Sequence, residues 1–130
     1  MLILSIRTDK PEAEIALFED TVVLDQIHWL AHRELASTLH TKIIDVLKAN
    51  SKVLDDVEAL VVYEGPGSFT GVRIGVTVAN ALAGSLDIPV VGARDTHWQT
   101  EGVRKLGLQP ESAYVTPVYD RPAATTPQKK

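Results

Sequence analysis

No cysteine occurs in the 130 residues. Disulfides and thiolate metal sites are thereby excluded, and a reducing cytosol is the compartment this composition suits. Basic clusters are also missing. The formal net charge is −4 and the sequence pI about 5.5, and the one basic run is the terminal Lys129-Lys130. Proteins that grip nucleic acid alone usually show a basic face, because phosphate neutralisation supplies most of the affinity. Direct nucleic-acid binding by this chain alone is therefore disfavoured. Long apolar runs are lacking too. Met1 to Ile6 is cut short by Arg7, with no basic segment before it and no small-residue cleavage site after it. The next apolar stretch, Ile74 to Leu86, falls short of the ~20 residues a membrane span needs. A cytoplasmic protein without membrane attachment is expected.

What is present describes one ordinary globular domain. The apolar fraction is 45% and the charged fraction 23%, and a chain of this length can bury one core without staples. No internal repeat or low-complexity segment appears. Residues 2–6, 13–18 and 21–30 read as strands, with Glu19-Asp20 at a hairpin, which predicts an antiparallel meander. From Glu34 the period changes: Leu35, Leu39, Ile43, Val46 and Leu47 recur at helical spacing to about Asn50. After a turn over Val53–Val57, Ala59–Tyr63 reads as a buried strand. A second helix is predicted from Phe69 or Thr70 to Ser85, then a short strand over Pro89–Gly92. Asp95 is read as the cap of a third helix reaching about Arg104, and Ser112–Tyr119 as extended. Residues 121–130 read as a flexible tail after a single domain over 1–120. The order βββαβαβ implies a mixed sheet with parallel later strands in a three-layer α/β arrangement.

The segment Gly65-Pro-Gly-Ser-Phe-Thr-Gly-Val-Arg73 sits between a strand and a helix, where free backbone N–H groups and the helix dipole favour anions. It matches none of three phosphate or nucleophile motifs. A P-loop needs lysine after its second glycine, and Val72 stands there. A dinucleotide fingerprint needs its third glycine one residue before Gly71. A nucleophile elbow needs glycines where Ser68 has Pro66 and Thr70. Two readings stay open: a tight turn capped by Ser68 or Thr70, or a loop whose amides and Arg73 face an anion or a partner's carboxylate.

The second helix carries too much apolar surface for one buried face. At about 100° per residue, Arg73, Thr77, Asn80 and Gly84 form one narrow polar stripe. Val72, Ile74, Val76, Val78, Ala79, Ala81, Leu82 and Ala83 occupy nearly everything else. On the first helix, Ala36, His40, Ile44 and Leu47 widen the apolar arc beyond what docking on a sheet requires. An exposed patch of this kind marks an association site. Fold-back of the chain's own C-terminal segment over the helices is the competing explanation. His28 and His32 are four apart, but in or after a strand that spacing does not converge on a metal. Asp55, Asp56 and Glu58 read as a solvated turn, and no nucleophile–base–orienter set can be assembled.

Tyr63-Glu-Gly-Pro-Gly-Ser-Phe-Thr-Gly-Val-Arg-Ile-Gly75, continuing through Ala79-Asn-Ala-Leu-Ala83, resembles the signature of the TsaB family of tRNA threonylcarbamoyladenosine (t6A) biosynthesis proteins. Pro89-Val-Val-Gly-Ala93, His32-Arg-Glu-Leu-Ala36 and Pro117-Val-Tyr-Asp-Arg-Pro122 are similar to further family segments. The resemblance implies one lobe of an actin/Hsp70-like (ribonuclease H-like) fold. It also implies a non-catalytic dimerisation subunit that pairs with a TsaD-like threonylcarbamoyltransferase, with a TsaE-like ATPase in the same machinery and homodimerisation as an alternative. Partner contact is then expected at Ala36, His40, Ile44, Leu47, Gly67, Ser68, Phe69, Arg73, Val76, Thr77 and Asn80. Two departures stand out. Ile6-Arg7-Thr8-Asp9 places arginine where catalytic relatives in the wider fold carry an acid, and no room for a second lobe lies between Val91 and Pro117. No catalytic residue, metal, nucleotide or other cofactor is expected. A small phosphotransferase or hydrolase using the glycine loop is the alternative of a different class.

Overall fold

The computed structural model describes residues 1–31 and 34–108. A five-stranded sheet carries helices on both faces. β1 (Leu2–Arg7), β2 (Glu12–Glu19) and β3 (Val22–Leu30) form the antiparallel meander, and the β2–β3 turn passes through Asp20 at φ 58°. α1 (Leu35–Ala49) leads through a short 3-10 turn (Leu54–Asp56) into β4 (Ala59–Gly65), which pairs with β1 in parallel. α2 (Phe69–Leu86) then crosses over to β5 (Val90–Arg94), parallel to β4, and α3 (Trp98–Leu108) follows. The strand order is β3-β2-β1-β4-β5.

Side-chain alternation along the strands divides the core into two layers. Leu2, Leu4, Ile6, Ile15, Leu17, Leu60, Val62 and Val90 point to the face covered by α1 and α2. Ile3, Phe18, Ala59, Val61, Tyr63 and Ala93 point to the other, where Trp98 and Leu106 of α3 meet them. The meander, the strand-helix order and the three layers agree with the sequence reading. The third helix begins later than expected: Asp95 is in a left-handed turn (φ 63°), and the first helical backbone bond runs from Glu101 N–H to His97 O. The expectations for residues 112–119 and 121–130 lie outside the described residues.

Polar bonds anchor α1 on the sheet near both its ends. Trp29 Nε1 donates to Thr38 Oγ1 at 3.1 Å, and Asn50 Nδ2 donates to Asp25 Oδ2 and to Val46 O, each at 2.8 Å. These bonds tie the helix to β3, whose outer side reaches solvent at Val22, Val23, Leu24 and Leu30. A register shift between Leu17 and Phe18 lets Leu24 bulge from this strand, a device that discourages edge-to-edge pairing.

Two residues expected at a contact surface belong to the core instead. Leu47 is 1% exposed and Val76 is 2% exposed. Leu47 lies one turn after Ile43 on the same ridge, and Leu54 and Val57 join its cluster as the chain returns toward β4. Val76 is one turn after Val72, on the sheet-facing stripe that continues through Ala79 and Ala83. Leu47→Ala is expected to cost about 2–5 kcal/mol, as truncation of a fully buried leucine does. Ile44→Ala, at a position 37% exposed, should cost less than about 1 kcal/mol. Urea unfolding of the two variants reads the difference directly.

Candidate docking face and glycine-rich loop

β4 ends in Gly65, a glycine at φ 121° that precedes a cis Pro66, and a short turn leads on to α2. Tyr63 Oη donates to Pro66 O at 2.7 Å and fastens the turn. Ser68 is the N-cap, its side chain accepting from Gly71 N–H. Gly67 in the turn, and Gly71 and Gly75 one turn apart on α2, face the β1–β2 turn. A Cβ at Gly71 would sit 2.1 Å from Thr8 O, one at Gly75 2.3 Å from Thr8 Oγ1, and one at Gly67 2.5 Å from Asp9 Cβ. Thr8, 2% exposed, donates from Oγ1 to Gly71 O at 2.6 Å. Gly71 is thus required by close approach of two backbones, and Gly67 and Gly75 by the side chains of Asp9 and Thr8.

The corner between this loop and β1 is filled by the protein's own charges. Arg7 pairs with Asp9, with Nε 2.7 Å from Oδ1 and a second bond of 3.2 Å to Oδ2. Its guanidinium also lies over the Tyr63 ring, 4.0 Å from the centroid. Burial opposes the charge on Arg7, but the hydrogen bond and charge of Asp9 outweigh it, so its pKa is raised and the guanidinium held firmly ionised. A cation already matched by a carboxylate leaves little field for an incoming anion or metal. These contacts support the capped-turn reading of the loop.

Several polar groups elsewhere among the described residues form pairs. His28 faces Glu14 across β2 and β3, Nδ1 to Oε1 3.4 Å. His32 lies outside the described residues, and His97 is exposed ahead of α3. Glu64 pairs with Arg94 at 2.8 Å. Among the described residues no group of three acidic, histidine or cysteine side chains converges on a point.

Apolar surface reaches solvent between α1 and α2. Ala36, His40 and Ile44 form an exposed stripe at four-residue spacing on α1. Beside it, Ile74, Val78 and Leu82 of α2 are half-buried, where the two helices meet. A groove of about 320 Å³ opens at the N-terminal ends of both helices, lined by Ala36, Thr70, Arg73, Ile74, Thr77 and Val78. It brings together Ala36, Arg73 and Thr77, three positions expected from sequence. Asn80 is half-buried further along α2. Ser68 and Gly67 belong to the cap and to the packing against Asp9. Phe69 is the first residue of α2. Thr70, Ile74 and Val78 were not among the expected contact residues. Their signal was available as an i, i+4, i+8 ridge on α2, but its neighbour across the groove is set by the sheet.

Comparison with known proteins identifies the lineage. The family model described as "TsaD: tRNA N6-adenosine threonylcarbamoyltransferase" matches residues 29–116. The TsaB protein of Escherichia coli (strain K12) is 37% identical over 113 residues, covering 82% of this chain and 46% of that protein. That of Bacillus subtilis (strain 168) is 42% identical over 91 residues, covering 69% and 39%. The chain belongs to the TsaB family. It spans less than half the length of these two relatives. Among solved structures, YeaZ from Pseudomonas aeruginosa superposes with a TM-score of 0.68 at 29% identity, over 82% of this chain and 50% of that one. RuvC of T. thermophilus, solved with a Holliday junction substrate, aligns with a TM-score of 0.54 at 16% identity, over 87% of this chain and 82% of that one, a likeness of fold alone. The fold is the ribonuclease H-like, actin-like α/β arrangement. No helix among the described residues is long and apolar enough to cross a membrane.

The glycine ridge generates a paired stability test. Gly71→Ala should destabilise by about 1–3 kcal/mol, because the methyl must displace the Thr8 carbonyl. Gly84→Ala, where an added Cβ meets nothing within 4 Å, should be neutral or stabilise by up to about 1 kcal/mol. Thermal or urea unfolding distinguishes the two.

Proposed function

We propose that this chain is a non-catalytic dimerisation or scaffold subunit of the t6A modification machinery. In this reading residues 1–120 act as a single N-lobe-like domain that docks a TsaD-like threonylcarbamoyltransferase through α1 and α2. The observation that carries the proposal is the exposed Ala36–His40–Ile44 stripe beside the groove edged by Arg73 and Thr77. A solvent-facing seam between two parallel helices is a surface on which a second helix pair can pack. Membership of the family supports the pathway, and the self-neutralised Arg7–Asp9 corner supports the lack of intrinsic catalysis. Contact with tRNA then falls to the partner, and a TsaE-like ATPase would be reached through the complex.

The test uses surface positions, since a charge at Val76 would enter the core. Ile44→Asp combined with Thr77→Asp should abolish copurification with the threonylcarbamoyltransferase while circular dichroism stays native. Unchanged affinity of the double variant would refute the docking role. Sedimentation with and without the transferase separates the heteromeric reading from a self-sufficient homodimer. Calorimetry of the isolated chain with ATP should show no tight binding. Turnover of a phosphate or acyl substrate by the purified chain would favour the phosphotransferase or hydrolase alternative.

A further inference from the structure

Exposed apolar side chains gather at one end of the molecule. Seven large hydrophobic residues are exposed among those described. Five of them, Met1, Val22, Val23, Leu24 and Val53, lie where β2 turns into β3 and where the chain leaves α1 for β4. Leu30 and Ile44 are the other two. Contacts between distant segments bring the five together. Asp20 N–H donates to Met1 O and Glu58 N–H to Leu2 O, each at 2.8 Å, so the hairpin, the start of β1 and the 50–58 connection meet on one side. On the other side Asn50 Nδ2 reaches Asp25 Oδ2 at 2.8 Å, three residues before Val53. Apolar residues exposed singly are ordinary, whereas a group assembled by tertiary contacts marks a site of association. This end lies at the C-terminus of α1, away from the groove at the N-terminal ends of α1 and α2.

Carboxylates surround these side chains. Glu19, Asp20, Asp55, Asp56 and Glu58 are all exposed. The basic groups of this end are the Met1 amine, Lys48 and Lys52, and they are outnumbered. The amine alone stands among three of the acids, 2.9 Å from Glu19, 2.8 Å from Asp20 and 3.9 Å from Glu58. A net negative surface repels nucleic acid, anionic lipid and a second copy of itself, and it attracts lysine and arginine. The register shift that lets Leu24 bulge from β3 opposes addition of a strand at this point. A partner must therefore meet the patch with its side chains.

We propose that this end docks a basic segment of a partner protein, with aliphatic side chains seated on Val22, Val23, Leu24 and Val53 and flanking lysines or arginines beside Asp20, Asp55 and Glu58. The apolar contact holds the segment, and the charges steer its approach and fix its direction. The site lies off the α1–α2 seam, so it does not depend on the docking role proposed above and both surfaces can be occupied together.

The probe is a short amphipathic helical peptide of leucine and lysine, passed over the full chain in surface plasmon resonance. Affinity should fall by about tenfold from low to physiological salt. Peptides with glutamate replacing lysine, or serine replacing leucine, should not bind. Asp20→Asn with Asp55→Asn should weaken binding by about fivefold, chiefly through slower association. Val22→Ser with Val53→Ser should weaken it by about tenfold, through faster dissociation. Two controls alter the same chemistry elsewhere and should bind like the parent: Glu12→Gln with Asp95→Asn, and Leu30→Ser. Asp20 and Asp95 both have left-handed backbone, at φ 58° and 63°, which asparagine tolerates. Thermal unfolding checks that each variant is folded, and Val22→Thr with Val53→Thr replaces the serine pair if that pair unfolds. The proposal is overturned if the patch variants bind like the parent, if the controls weaken binding equally, or if the lysine–serine peptide binds as tightly as the leucine–lysine one. Sedimentation of the chain alone adds one more outcome: a dimer abolished by Val22→Ser with Val53→Ser would make this end a self-contact and overturn its assignment to a basic partner.

Discussion

The close approach of α2 to the β1–β2 turn is the contact on which the rest of the architecture depends. Two helical glycines one turn apart, Gly71 and Gly75, let the helix settle against Thr8, Gly67 in the preceding turn makes room for Asp9, and the Thr8 hydroxyl closes the gap by bonding to Gly71 O. Glycine in a helix costs conformational entropy, roughly 0.5–1 kcal/mol per residue relative to alanine. Tight packing and a buried hydrogen bond offset that cost here. The helix is thereby fixed in depth and in rotation. Its rotation decides that Val72, Val76, Ala79 and Ala83 enter the core, and that Arg73 and Thr77 face out.

The same contact also sets the charge balance of this corner. A strand end followed by a glycine loop and a helix N-terminus is a common place for anions. In this chain the β1–β2 turn presses Asp9 against Gly67 and turns Arg7 over Tyr63. Each charge has its opposite at hydrogen-bond distance, and the ring shields one side of the guanidinium. The loop thus joins the structural frame of the corner between β1 and α2.

The seam between α1 and α2 is narrower than the amphipathic pattern suggested. Leu47 and Val76 were expected at the contact surface, yet both are buried, because the return through Leu54 and Val57 covers the end of α1 and the sheet covers that side of α2. Ala36, His40 and Ile44 remain outside because nothing among the described residues packs on the N-terminal two-thirds of that ridge. A periodic pattern reports which residues share a face. It does not report how far along the helix the neighbours extend.

Local properties of the chain were enough to determine the element order, the meander, the parallel crossovers and the family. Alternation, helical period and turn residues act over a few positions, and the long glycine–phenylalanine motif is specific in itself. Tertiary structure alone decided that Gly71 and Gly75 serve packing against Thr8, that Arg7 is neutralised by Asp9 beside the Tyr63 ring, and that Arg73 lines a groove between α1 and α2. Each of these depends on distances between segments far apart in the chain, which are set by how the sheet brings β1, β4 and the two helices together.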